Sequence, residues 1–249
     1  MSPFWVSAFL DLAAPDLERG LAFWSAVTGY DVSPRRGATD EFATLVPPDG
    51  DDFLRVQRRD EGPSRIHLDL HVSDPGALTE HAVALGATVL ARPEQGYVVL
   101  ASPAGLTFCF VRHVCRTRAR PAAWPGGGSS LVDQVCLDVA APEHQREWAF
   151  WRDVTGWELV DSAFEELHSL LRPTGQPLRF LLQRTDDAPG TPPRIHLDLA
   201  TSDRAAETRR HVGLGARVLS THDLWTVLAD PGGSSYCLTD RDPATGLLP

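Results

Sequence analysis

The string Arg-Ile-His-Leu-Asp-Leu occurs twice, at Arg65–Leu70 and at Arg194–Leu199. On a β-strand, side chains alternate between two faces. Arg65, His67, Asp69 and His71 then share one face, opposite Ile66, Leu68 and Leu70. Arg194, His196 and Asp198 share the matching face of the second copy. Such a row offers acid/base chemistry. Asp69 or Asp198 orients His67 or His196, the imidazole exchanges a proton with a bound molecule, and Arg65 or Arg194 holds an anionic group. His67, Asp69, His196 and Asp198 are therefore the catalytic candidates. A structural reading stands beside this one: the arginines pair with carboxylates, and His and Asp satisfy each other inside the protein. His-x-Asp is also the local signature of a ferrous facial triad, which needs a second histidine. Only His81 and His211 recur as further histidines in both halves, and both fall in predicted helices.

Further residues can line a ligand site. Gln134 and Asp138 lie on the predicted first strand of the second half, where the first half has Ser7 and Asp11. Gln183 ends a later strand, and Trp225 and Tyr97 occupy matching late strands. Trp24 and Trp151 sit at helical spacing among apolar residues and read as core. Cys109 and Cys237 lie in apolar strands and read as buried structural thiols. No C-x-x-C pair, phosphate loop or nucleophile motif is present.

The repeat extends well beyond these six residues. "AFWSAVTGY" at Ala22–Tyr30 matches "AFWRDVTGW" at Ala149–Trp157, 127 positions on. "ALGATVL" from Ala84 matches "GLGARVL" from Gly213, and "SPAGLTFCF" from Ser102 matches "DPGGSSYCL" from Asp230. The chain is a tandem duplication. It divides into 1–113, a Gly/Pro/Ser-rich linker at 114–130 containing a basic run that reads as solvated, and 131–249.

Each half itself restarts once. In the first half an alternating stretch, "WVSAFLDLA", precedes a helix carrying Leu17, Leu21, Trp24 and Val27 at helical spacing. Three short strands follow, near 30–34, 41–47 and 52–58. The "RIHLDLHV" strand then opens a second round: Asp74 caps a helix with Pro75 at its first position, Gly86 ends it, and three more strands follow. The fold class is α+β, with four βαβββ units in all.

Composition sets outer bounds. A net charge of −10 and a pI near 5.3 argue against nucleic acid or an anionic membrane as partner. The amino-terminal stretch lacks the pattern of a signal peptide, and no apolar run is long enough to span a membrane. A cytoplasmic location is expected.

"LDLAAPDLERGLAFWSAVTGY", "RIHLDL", "LGATVL" and "DPGGSSYCL" together resemble the vicinal oxygen chelate superfamily, in its glyoxalase-like, bleomycin-resistance-like branch. The resemblance implies two curled mixed sheets, each built from two βαβββ units around a small-molecule cavity. It also implies a monomeric pseudo-dimer or a homodimer. It does not fix a reaction, because the superfamily spans isomerases, dioxygenases and non-catalytic drug-sequestering proteins. Metal-dependent members carry ligands at the start of the first strand and near the end of the last strand of each unit. Those slots hold Ser7, Arg65, Gln134 and Arg194, with Cys109 and Cys237 in place of the usual Glu. No metal cofactor is therefore expected, although a divalent ion stays conceivable. The expected function is binding of a small organic molecule, with metal-independent acid/base chemistry of isomerase or lyase type. The alternatives are a drug-sequestering protein and an iron-dependent dioxygenase. Gln134, Asp138, Gln183, Arg194 and Trp225 make the second half the expected working site.

Overall fold

The computed structural model describes residues 2–160 and 164–249. The first half supplies β1 (Trp5–Ala13), α1 (Leu17–Thr28), β2 (Asp31–Val32), β3 (Phe42–Val46) and β4 (Leu54–Arg59). It continues with β5 (Arg65–His71), α2 (Pro75–Ala84), β6 (Thr88–Ala91), β7 (Val98–Ala101) and β8 (Thr107–Val111). A two-residue strand, β9 (Ala122–Ala123), follows in the join. The second half repeats the order: β10 (Ser129–Ala140), α3 (Ala141–Thr155), β11 (Leu159–Val160), β12 (Leu167–Leu170) and β13 (Arg179–Thr185). It ends with β14 (Arg194–Thr201), α4 (Arg204–Gly213), β15 (Arg217–Thr221), β16 (Trp225–Ala229) and β17 (Ser235–Thr239).

The helix ends lie close to where the sequence puts them. Asp74 accepts hydrogen bonds from the amides of Gly76 and Ala77, so α2 starts at Pro75. Asp203 does the same for α4 through the Ala206 amide. Gly29 and Gly156 adopt left-handed backbone after α1 and α3, which a side chain bearing Cβ resists.

The fold is α+β with two curled mixed sheets. One runs β2-β3-β4-β1-β5-β8-β7-β6, the other β11-β12-β13-β10-β14-β17-β16-β15, with β9 on β10. Each contains a parallel pair, β5 with β8 and β14 with β17. The register sets Asp69 opposite Cys109 and Asp198 opposite Cys237.

By contact, the chain forms two compact units that do not follow its halves. One comprises the chain up to Ala8, Ile66–Arg116 and Val135–Ile195; the other comprises Phe9–Arg65, Thr117–Gln134 and His196–Pro249. The first unit joins the α2 segment to the α3 segment. Phe108 on β8 packs against Phe150 and Trp151 of α3, at 5.8 and 5.2 Å between ring centres. Glu147 is fully buried there, accepting from the Trp151 indole at 2.8 Å and from the Ala104 amide at 2.9 Å. Its carboxyl is raised by burial, against the pull of those donors.

The second unit joins the α1 segment to the α4 segment. Phe23 and Trp24 of α1 meet Tyr236 of β17 at 5.9 and 5.3 Å, and the Trp24 indole donates to Asp230 at 3.2 Å. Arg210 of α4 donates to the Ala26 and Val27 carbonyls at the carboxyl end of α1, at 3.0 and 2.8 Å, satisfying acceptors that the helix leaves open. It also forks onto Glu207 and lies 3.6 Å from the centre of the Trp124 ring. The core reading of Trp24 and Trp151 holds: they are 2% and 0% exposed.

The join is held to the fold while Arg112, Arg116 and Arg120 of the basic run stay exposed. Thr117 exchanges hydrogen bonds with Asp51, Arg120 is held by Asp49, and Ala119 is buried. Gly50, with φ +74°, fits beneath this stretch; a Cβ there would stand 2.7 Å from the Ala119 nitrogen. The anchors lie some 70 residues upstream of the run, out of reach of any local composition cue.

Gly50→Ala should cost about 2–4 kcal/mol, from the left-handed backbone and the backbone clash together, measured by urea unfolding. A second expectation concerns acid. Burial pushes the Glu207 carboxyl up, but the hydrogen bonds of Arg210, with help from His211 and Ser130, hold it at about 2 rather than 4.5. Because the folded value is depressed, the stabilisation is fully present above about pH 4.5 and drains as pH falls toward 2. Glu207→Gln should flatten stability against pH across that window and leave the slope above it unchanged.

Candidate functional site

β5 and β14 are buried along most of their length, so both faces of each strand must be satisfied from within the protein. The two arginines are exposed at the strand starts and are already paired. Arg65 donates to Asp11 at 3.0 Å. Arg194 reaches Asp138 at 3.3 Å and Asp187 at 2.7 Å. These pairs fit the structural reading of the arginines. Asp187 is a partner the sequence did not suggest; its carboxyl is held below the ordinary range, first by the Arg194 hydrogen bond and then by Thr185.

The remaining ligand-site candidates of the first unit gather on β10 and β13. Cys136 lies 3.8 Å from Asp138 and 3.6 Å from Gln183. This thiol was not singled out in the sequence. Phe9 stands at the corresponding position of the first half, with the Arg55 guanidinium 5.9 Å from its ring centre.

The first-half row is spent on the fold at one end. His71 Nδ1 lies 2.8 Å from the His113 carbonyl and Nε2 lies 2.9 Å from Ser7 Oγ. A carbonyl only accepts, so Nδ1 carries the hydrogen, and in the neutral ring Nε2 accepts from the Ser7 hydroxyl. Ser7 is the first-strand slot of this half, and it is occupied by that bond. His67 Nε2 and Asp69 Oδ1 stand 3.8 Å apart. Cys109 joins them, all three ligand atoms lying within 4.8 Å of one another. Tyr97 sits near this cluster: burial raises its phenol, with Cys109 and Asp69 adding to the shift.

The second-half cluster belongs to the other unit and is tighter. His196 Nε2 lies 3.2 Å from Asp198 Oδ1 and 3.6 Å from Cys237 Sγ. Gln134 donates through its amide to Asp198 Oδ2. Asp198 is 3% exposed, with His196 beside its Oδ1 and Gln134 on its Oδ2. Burial pushes its carboxyl up, but the His196 imidazole, the charge of Arg241 and the Gln134 amide outweigh that and hold it below the ordinary value. Arg241 itself pairs with fully buried Asp133. Trp225 stacks on His222, with ring centres 4.7 Å apart and planes 18° off parallel.

The structure thus brings together Gln134, His196 and Asp198, and adds Cys237. It gathers Arg194, Asp138 and Gln183 with Cys136, and sets Trp225 on His222. The thiols are buried as read, but their position opposite the aspartates was missed. The available signal was their recurrence at one slot in both halves. Among the described residues, each group able to hold a metal contains one histidine, so no facial triad is assembled; His81 and His211 lie on α2 and α4.

The profile of the glyoxalase-like domain matches residues 7–111 and again 134–239. No protein of curated function matches the sequence. Among solved structures, a mutant of 4-hydroxymandelate synthase from Streptomyces coelicolor is 17% identical with a TM-score of 0.64, covering 99% of this chain and 95% of its own. The Mn(II)-bound glyoxalase from Novosphingobium aromaticivorans is 19% identical, TM-score 0.64, with coverage of 100% and 86%. An extradiol ring-cleaving dioxygenase from B. fuscum is 14% identical, TM-score 0.66, with coverage of 99% and 74%. At these identities the likeness is one of fold. No helix is long and apolar enough to cross a membrane.

Gln134→Ala should leave the second Asp198 oxygen without its donor. A cost of about 1–3 kcal/mol is expected in chemical denaturation, whereas Gln183→Ala, which removes only a weak sulfur contact, should cost less than half as much.

Proposed function

The chain belongs to the glyoxalase-like domain family of the vicinal oxygen chelate superfamily, and from that premise we propose that it binds and transforms a small oxygen-bearing organic molecule. The working centre is Gln134, His196, Asp198 and Cys237 in the second half. The reaction is of isomerase or lyase type, relocating a proton beside a carbonyl or hydroxyl. The observation that supports this is the His196–Asp198 pair, 3.2 Å apart and braced by Gln134 in a buried, pre-set cluster. An imidazole oriented in this way can exchange a proton with a ligand. In the first half Ser7 and His71 are spent on each other.

The two alternatives rank lower. Solved relatives in this fold include extradiol dioxygenases, yet among the described residues the second histidine of a ferrous facial triad is not assembled around either His-x-Asp pair. Sequestration needs only flat apolar walls, and Trp225 is already stacked on His222.

The test is solvent-deuterium exchange, followed by proton NMR, on a panel of 2-oxo acids and hydroxyaldehydes. Wild type and His67→Ala should label at least one compound, and His196→Ala should lose the labelling by 100-fold or more. His67→Ala should instead lower stability by about 1–3 kcal/mol. Equal losses in both variants would mean two working centres. Loss only in His67→Ala would move the centre to the first half. Oxygen uptake with catechol and no exchange would replace this reading with an oxygenase.

A further inference from the structure

Strands β3 and β4 of the first half have one apolar face and one furnished with cations and rings. Ala43, Leu45, Leu54 and Val56 form the apolar face and are at most 1% exposed. Residues directly across an antiparallel pair share a face. The register sets Phe42 against Gln57 and Thr44 against Arg55 on the opposite face. Arg36 joins them, because it exchanges both backbone hydrogen bonds with Phe42, at 2.9 Å each. Phe9 of β1 closes the corner. Its ring meets Phe42 edge-on at 6.4 Å, and the Arg55 guanidinium stands 5.9 Å from its centre.

Cations outnumber carboxylates here. Asp52 holds Arg55 at 2.9 Å, and Asp11 holds Arg65 at 3.0 Å. Arg59 follows Gln57 on the same face by alternation and donates to the Glu61 carbonyl, with no carboxylate in ion-pair reach among the described residues. Arg36 has neither a side-chain hydrogen bond nor an ion pair among them. Burial lowers the Arg36 guanidinium first, the like charge of Arg55 adds to this, and Asp52 opposes both. Two guanidiniums unmatched by carboxylate, in a chain of net charge −10, form a local attraction for an anion.

The fold itself does not demand this furnishing. In the second half the same register sets Leu167 against Gln183 and Ser169 against Leu181. The glutamine and a hydroxyl recur, but leucines stand where Phe42 and Arg55 are, and Cys136 stands where Phe9 is. The arginine and both rings belong to the first half alone.

We propose that Arg36, Arg55, Phe9 and Phe42 form a binding site for an aromatic carboxylate, with Thr44 and Gln57 as further hydrogen-bonding groups. A guanidinium fork matches a carboxylate in two parallel hydrogen bonds. Arg36, at the exposed rim, supplies that fork, and Arg55 adds positive charge while keeping Asp52. The phenyl rings of Phe9 and Phe42 offer a flat body the edge and face contacts that aromatic pairs favour. The site shares no residue with the second-half cluster and stands whether or not that cluster is the working centre.

The probes are 2-naphthoate and its neutral amide, which share a ring system and differ in charge. Calorimetric titration of the full chain with 2-naphthoate should saturate near one equivalent, and the amide should bind at least about tenfold more weakly, the worth of a charge-assisted contact. Arg36→Gln, at an exposed side chain, should weaken 2-naphthoate by a similar factor with unchanged circular dichroism and melting temperature. Phe9→Cys, which carries the second half's residue into the first, should weaken it as well. No saturable binding at millimolar 2-naphthoate overturns the proposal, as does equal affinity for the acid and the amide. Displacement by inorganic phosphate at equal concentration would reduce the site to one for simple anions and overturn the aromatic assignment. Full affinity in Arg36→Gln, with loss in His196→Ala, would put the acid at the second-half cluster instead.

Discussion

A strand covered on both faces can carry a hydrogen-bonding or charged side chain only where the protein answers it. β1, β5, β10 and β14 are covered in this way over most of their length, yet they carry Ser7, Asp11, His67, Asp69, His71, Asp133, Gln134, Asp138, His196 and Asp198. An unanswered polar group there costs on the order of 1–3 kcal/mol, a large part of a domain's net stability. The pairings described above follow from that requirement: Arg65 with Asp11, His71 with Ser7, Arg241 with Asp133 and Gln134 with Asp198. The two halves solve the same problem differently. The first spends Ser7 and His71 on each other, whereas the second, with Ala200 where His71 stands, turns Gln134 onto Asp198.

The same economy governs the helices. In one unit a carboxylate on α3, Glu147, answers both an indole on its own helix and a turn amide beyond β7. In the other, Asp230 in the corresponding turn answers the indole of Trp24 and its own turn amide at Ser234. The carboxylate has changed sides of the contact while the indole and the turn have stayed. A duplicated chain can drift in this way because each contact needs one acceptor and does not care which segment supplies it.

Much of this was legible in the chain itself. Strict alternation in "RIHLDL" gave the shared polar face, Asp74 and Pro75 marked the start of α2, and the repeated "FW..VTG" string marked the ends of α1 and α3. The choice of His196 came from that alternation, and that of Gln134 from the family resemblance, which sets it in the slot held by Ser7 in the first half. What escaped was long-range. Cys109 and Cys237 read as apolar strand residues because the parallel register that faces them with Asp69 and Asp198 is set across dozens of intervening residues. The join at 114–130 read as a tether because Gly, Pro and Ser fill it, while its anchors, Asp49 and Asp51, sit in a distant turn. Cys136 went unnoticed for lack of any repeat, since Phe9 stands in its place.

The interleaving of the two compact units bears on how the chain comes off the ribosome. The unit containing α1 closes only when residues beyond His196 arrive, because Tyr236, Asp230 and Arg210 complete its core. At roughly 5–20 residues per second, α1 waits on the order of ten to forty seconds with Phe23 and Trp24 uncovered. The unit containing α2 closes sooner, once α3 and the strands after it have emerged. The chain's earliest helix is thus among its last to be buried, and the exposed aromatic stretch "AFWSAVTGY" is where a chaperone has most to hold.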